Sequence, residues 1–164
     1  MTTTIVIAEK PTAAKAIAKA LGEKSVKENI CPDGVKWYEF TRKNKKHIVV
    51  SAAGHIFTLK QVKKQKVKKT SDAKSDGKSS DKSIPTQGWG YPVFDVEWVP
   101  SYEISKFTAF SKKFYDVISQ FKGKGDDFIV ATDYDTEGEV IGYNILKLMF
   151  DKTDAKRMKF STMT

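Results

Sequence analysis

Apolar residues fall into two patterns along this chain. Short unbroken runs of β-branched and apolar residues at 4–8 and 128–131 have the length and composition of buried strands. Elsewhere the apolar positions recur three and four apart. Ala13, Ala14, Ala16, Ile17, Ala18, Ala20 and Leu21 follow Pro11 and precede Gly22, so Pro in the first turn and Gly past the end bracket a helix. Phe107, Phe110, Phe114, Val117, Ile118 and Phe121 predict an amphipathic helix over 105–121, closed by Gly123 and Gly125. Val140, Ile141, Ile145, Leu148 and Met149 predict another over 138–150.

Between these elements, 37–42 and 47–52 alternate like a hairpin joined by Lys43-Asn44-Lys45-Lys46. Residues 56–59 lead out of it. Residues 84–104 are rich in aromatics, Pro and Gly and predict extended chain on the core rather than regular structure, with Trp98 packed against the sheet. Residues 157–161 suit a last strand. Strand–helix units at both ends indicate an α/β fold with a largely parallel sheet of about four strands flanked by helices. Ligands of such sheets bind beyond the carboxyl ends of the strands, which nominates the turns after Ala8 and Ala131.

Composition narrows the class. The chain has 164 residues, 40% hydrophobic and 12% aromatic, enough to build one core. A lone cysteine, Cys31, excludes a disulfide-stapled scaffold. No apolar run approaches the roughly 18 residues of a membrane span. The opening Met1-Thr2-Thr3-Thr4 has no basic n-region, so no signal peptide is expected. These features predict a soluble intracellular domain without a membrane partner.

The net charge of +9 points to a polyanionic partner, but it is unevenly spread. Residues 60–82 hold nine lysines and three aspartates with hardly an apolar residue. That composition cannot offset ordering entropy, so a mobile insertion is expected over 60–83. Lys63 and Lys64 there are candidates for salt-sensitive contacts to backbone phosphates. Residues 126–139 hold six acids and no Lys or Arg.

Within that acidic segment an apolar strand runs into Thr132-Asp133-Tyr134-Asp135-Thr136-Glu137-Gly138, and an apolar-periodic helix follows. Residues two apart in extended chain project to one side, so Asp133 and Asp135 can converge. Convergent carboxylates repel unless a cation neutralises them, and Mg²⁺ prefers such hard oxygen ligands. A solvated helix start, whose acids simply favour the dipole, gives the same spacing. At the other turn Glu9 ends a buried strand and Lys10 beside it can bind a phosphate oxygen; a helix-start acid beside a solvent lysine gives that pattern too.

Together these motifs carry a resemblance. A first strand ending in Glu, with a later one ending in Asp-x-Asp-x-Glu-Gly, resembles the toprim domain, a Rossmann-like fold. Ile7-Ala8-Glu9-Lys10-Pro11, Ala53-Gly54-His55, Tyr91-Pro92-Val93-Phe94 and the long motif over 131–145 are similar to the N-terminal domain of type IA DNA topoisomerases of the archaeal topoisomerase I/III kind. The resemblance spans the chain apart from the lysine-rich insertion and implies a single toprim domain over 1–164.

It implies that Glu9 and Lys10 are catalytic, Glu9 protonating the leaving 3′-oxygen and Lys10 stabilising the scissile phosphate. It implies Mg²⁺ held by Asp133 and Asp135, with Glu137 and Glu9 completing the site. Lys10, His55, Lys63 and Lys64 become DNA-binding candidates; His55 is assigned to its loop or to DNA rather than to metal. The implied partners are a single-stranded DNA segment and the remaining topoisomerase domains, in a prokaryotic, nucleoid-associated, cytoplasmic setting. Thr136 stands where many bacterial relatives have Arg, so the resemblance does not carry over any phosphate contact made by that Arg. Complete type IA enzymes are several times longer and carry their nucleophilic Tyr downstream, so this chain is expected to be a piece of such an enzyme, inactive in DNA relaxation alone. The alternatives are a stand-alone toprim nuclease or RNA-processing hydrolase, and a non-catalytic basic nucleic-acid-binding module.

Overall fold

The structure is a computed structural model that describes residues 1–22, 25–62 and 94–160. The expected lysine-rich insertion, with Lys63 and Lys64, lies almost wholly outside the described residues, as do Trp89 and Tyr91-Pro92-Val93. The chain divides into two compact units, 1–58 with 99–164, and 59–98.

The larger unit is built on β1 (Thr3–Ala8), whose run of β-branched residues is wholly buried from Thr4 onward. It lies between β4 (Lys45–Ser51) and β7 (Asp127–Ala131), parallel to both. β8 (Lys156–Arg157) adds parallel to β7, so β4-β1-β7-β8 supplies the expected four parallel strands. An antiparallel pair, β3 (Lys36–Arg42) and β2 (Lys27–Ile30), extends the sheet to six in the order β2-β3-β4-β1-β7-β8.

Period-two alternation along β1 sends Ile5 and Ile7 to one face and Val6 and Ala8 to the other. On the second face sits α1 (Pro11–Gly22), whose small buried residues Ala13, Ala14 and Ala18 join Val6, Ala8 and Val49 in one core. On the first face, α2 (Ser111–Ser119) and α3 (Thr136–Phe150) contribute Phe114, Val117, Ile118, Ile141, Ile145 and Met149 to the larger core. Helices on both faces explain why the central strands read as continuous apolar runs. Among the described residues, no helix is long and apolar enough to cross a membrane.

Several expected boundaries move, each for a local reason. The hairpin turn is shorter: Lys43 and Asn44 alone have φ of 49° and 58°, and Lys45 and Lys46 belong to β4. Two left-handed residues match the twist of the flanking strands, as in a type I′ turn. The helix expected over 105–121 shrinks to α2. Before it, 3₁₀ turns form at Ser101–Glu103 and Lys106–Thr108. There the Thr108 hydroxyl donates to the carbonyls of Ser101 and Ser105, and the Ser105 hydroxyl accepts from the Phe107 N–H. Such side-chain bonds give the backbone an alternative to the helix. Phe107, 91% exposed, and Phe110 are thereby left out of the core.

Residues 94–104 are more regular than expected, because β6 (Val96–Pro100) pairs with β5 (Phe57–Gln61) in a two-stranded sheet. In the smaller unit, Val62 N–H donates to the Asp95 carbonyl at 2.9 Å, continuing that pairing, and Trp98 is exposed rather than packed. The last strand is β8, two residues long and one residue earlier than expected.

Candidate functional site

Ala8 and Ala131 are register partners on neighbouring parallel strands. The next residues therefore leave the sheet side by side, which is how Glu9 reaches the Thr132-Asp133 turn across more than 120 positions of sequence. One Glu9 oxygen accepts the Asp133 backbone N–H at 3.4 Å. The Lys10 ammonium lies 2.5 Å from Asp133 Oδ2 and 3.8 Å from Glu9 Oε1. Its pKa is raised, first by the hydrogen bond and charge of Asp133 and then by Glu9, so Lys10 is a cation throughout the neutral range.

Asp135 has a different occupation. It is the N-cap of α3, and its Oδ1 accepts the Gly138 N–H at 2.7 Å. The buried Thr132 hydroxyl donates to the Gly138 carbonyl at 2.8 Å, tying the strand end to the same first turn. Capping and metal ligation can be separated by mutation. Asp135→Asn keeps a good cap, whereas Asp135→Ala removes it at a cost of about 1 kcal/mol. Urea denaturation should therefore show Ala less stable than Asn, and equal midpoints would rule out the capping role.

A third strand contributes from the other side. After β4 the chain turns through Ala53 and Gly54, with φ of 54° and 100°. Ala52 N–H donates to the Ala8 carbonyl and Ala53 N–H to the Glu9 carbonyl, at 3.0 and 2.7 Å, so this turn is fastened to the end of β1. It delivers His55, whose Nε2 lies 2.6 Å from Glu137 Oε2. Ser101, itself buried, donates its hydroxyl to the His55 carbonyl.

The structure thus brings Glu9, Lys10 and Asp133 into one group and pairs His55 with Glu137, while Asp135 faces its own helix. Among the described residues no three His, Cys, Asp or Glu side chains are gathered closely enough to hold a metal ion. The donor chemistry nevertheless suits one. Glu9 and Asp133 offer hard oxygens, and they already converge on a positive charge, that of Lys10.

Sequence reasoning missed Arg157. Its guanidinium reaches from β8 to the carbonyls of Thr132 and Asp133, at 2.9 and 2.7 Å. No spacing signal marks it, because the contact joins positions more than twenty residues apart.

An α/β domain with acids and a lysine at the carboxyl ends of adjacent parallel strands carries them where ligands of such sheets bind. The sequence comparisons give this domain a family. Residues 4–163 match the Toprim domain, and the chain belongs to that family. It is 40% identical over 162 residues to DNA topoisomerase 1 of Methanocaldococcus jannaschii, covering 99% of this chain and 18% of that protein. It is 42% identical over 163 residues to DNA topoisomerase 1 of Pyrococcus furiosus, covering 98% of this chain and 13% of that protein. Aeropyrum pernix DNA topoisomerase 1 is 32% identical over 157 residues, 96% of this chain and 20% of that protein. The chain spans a fifth or less of the length of these relatives.

Proposed function

We propose that this chain is the toprim domain of a type IA DNA topoisomerase of the archaeal kind, one domain over 1–164 with a lysine-rich insertion. Its task is single-strand DNA cleavage and religation, with the attacking tyrosine supplied by another domain. The observation that carries the reading is the juxtaposition of Glu9, Lys10 and Asp133 at adjacent strand ends, on a chain matched along nearly its whole length by archaeal topoisomerases.

Asp133 and Asp135 would hold Mg²⁺, with Glu9 and Glu137 completing the set. Bound there, the ion would supply charge neutralisation to the scissile phosphate. The chain's own residues do the rest. Lys10 exchanges its carboxylate partners for a phosphate oxygen and holds it. As the deprotonated tyrosine oxygen of the other domain bonds to phosphorus, the bond to the 3′-oxygen breaks, and the carboxylic acid of Glu9 gives that oxygen its proton. Religation runs in reverse, with the Glu9 carboxylate taking the proton back as the 3′-hydroxyl attacks the 5′-phosphotyrosine. His55 contacts the DNA backbone at the site, and Lys63 and Lys64 add salt-sensitive contacts to backbone phosphates. This assignment places the protein in a prokaryotic cytoplasm, on the nucleoid, and leaves the isolated chain unable to relax DNA.

The metal assignment is tested by calorimetry with millimolar Mg²⁺. The Asp133→Asn/Asp135→Asn double variant, which preserves the cap, should bind at least about tenfold more weakly. Wild-type affinity in that variant would remove these residues from the metal site.

A further inference from the structure

β8 ends its pairing early. Ile129 and Val130 are in register with Lys156 and Arg157, and Met158 N–H donates to the Val130 carbonyl at 2.8 Å. Beyond that point the ladder stops while β7 runs on into the acidic turn. Among the described residues no strand pairs with the carbonyls of Thr132 and Asp133, although backbone acceptors in buried and half-buried positions need partners. Arg157 fills the gap with its side chain. Nη1 donates to the carbonyls of Val130, Thr132 and Met158, at 3.1, 2.9 and 3.2 Å. Nη2 donates to the Asp133 carbonyl at 2.7 Å, and Nε to Glu139 Oε1 at 2.6 Å. The guanidinium carbon also lies 5.4 Å from the centre of the Tyr134 ring. One planar fork thus grips the strand end, the turn and the first part of α3 together.

We infer that Arg157 is the positioning residue of the acidic turn, a guanidinium standing in for a missing strand and fixing the backbone from which Asp133 points at Lys10 and Glu9. This rests on the function proposed above for the value of that alignment, but the clamp itself does not. Asp133 is held through its carbonyl by Arg157 and through its N–H by Glu9, so its main chain is restrained on both sides. The restraint depends on the fork geometry. A lysine ammonium at this position keeps the charge but cannot span the carbonyls of Thr132 and Asp133 while reaching Glu139.

The test uses the 164-residue chain with Arg157→Gln and Arg157→Lys, read by ¹⁵N relaxation without metal and by Mn²⁺-induced broadening of amide signals. In both variants the order parameters of residues 132–137 should fall from about 0.85 toward 0.6 while those of β1 stay at the rigid value. Mn²⁺ affinity at the acidic turn should fall about 10- to 100-fold, as when outer partners of metal ligands are removed. A merely structural arginine would lower unfolding midpoints without loosening this one turn in the folded protein. Should Arg157→Gln fail to fold, Arg157→Lys, which keeps the charge and most of the stem, carries the test alone. Unchanged order in 132–137 overturns the clamp, as does wild-type behaviour in Arg157→Lys. If the wild type itself takes up no Mn²⁺ at the turn, the metal reading fails, and the order parameters alone decide the clamp.

Discussion

Replacing Glu9 with glutamine is expected to lower DNA strand cleavage by about 10²- to 10⁴-fold, the range for loss of a general acid. The assay is a chimera in which this chain replaces the matching region of an archaeal DNA topoisomerase 1. The variant is informative because so little else changes. Glutamine keeps an oxygen that can accept the Asp133 N–H, and the ion pair it weakens, to Lys10 at 3.8 Å, is long and made to an exposed ammonium. Stability should stay within about 0.5 kcal/mol of wild type. Religation should slow with cleavage, since in the proposed mechanism the same group takes the proton back. Cleavage within about threefold of the unmodified chimera would remove Glu9 from the proton transfer.

Gly138→Ala should be the most damaging single-methyl change in the described part of the molecule. A Cβ there would lie 2.1 Å from the Asp133 carbonyl oxygen and 3.0 Å from its carbon. The obstacle is backbone, so no rotamer change relieves it. Either α3 or the acidic turn must move, at a cost of about 3 kcal/mol or more, the upper end for forcing one methyl into a filled space. The urea midpoint should drop with little change in slope. Relief by the turn would also carry Asp133 away from Glu9 and Lys10, so any metal affinity should fall together with stability. A variant with wild-type midpoint would show that the turn and the helix are not in the close contact described.

The parts of the fold that were legible in the sequence are those whose side chains alone decide their place. β1 and β7 are buried on both faces and read as apolar runs; α3 shows its periodicity; the acids and Glu9 sit where parallel strands end. What escaped depends on partners far along the chain. β2, Lys27-Glu28-Asn29-Ile30, is an edge strand that is mostly exposed, so its formation comes from pairing with β3 and leaves no apolar trace. Phe107 and Phe110 continued a helical period but stand outside the core, because Ser105 and Thr108 turned the backbone first. In the site, the acids were found by type and spacing, but their division of labour was not. Asp133 faces Lys10 while Asp135 caps a helix, a split that an Asp directly before an apolar-periodic helix could have suggested. Arg157 was silent, since nothing in its neighbourhood distinguishes it from a surface arginine.

The position of β1 has a consequence for how the candidate site is lost on unfolding. With β4 on one side and β7 on the other, and Thr4–Ala8 buried, its amides cannot meet solvent by fraying at an edge. Hydrogen exchange there should proceed only through global opening, whereas edge strand β2 should exchange by local opening at far lower free energy. Glu9 and Lys10 are carried on the last element to open. Moderate denaturant or warming can then strip the edge of the sheet while the ends of β1 and β7 stay in register, and Glu9 and the acidic turn part only when the whole larger unit unfolds.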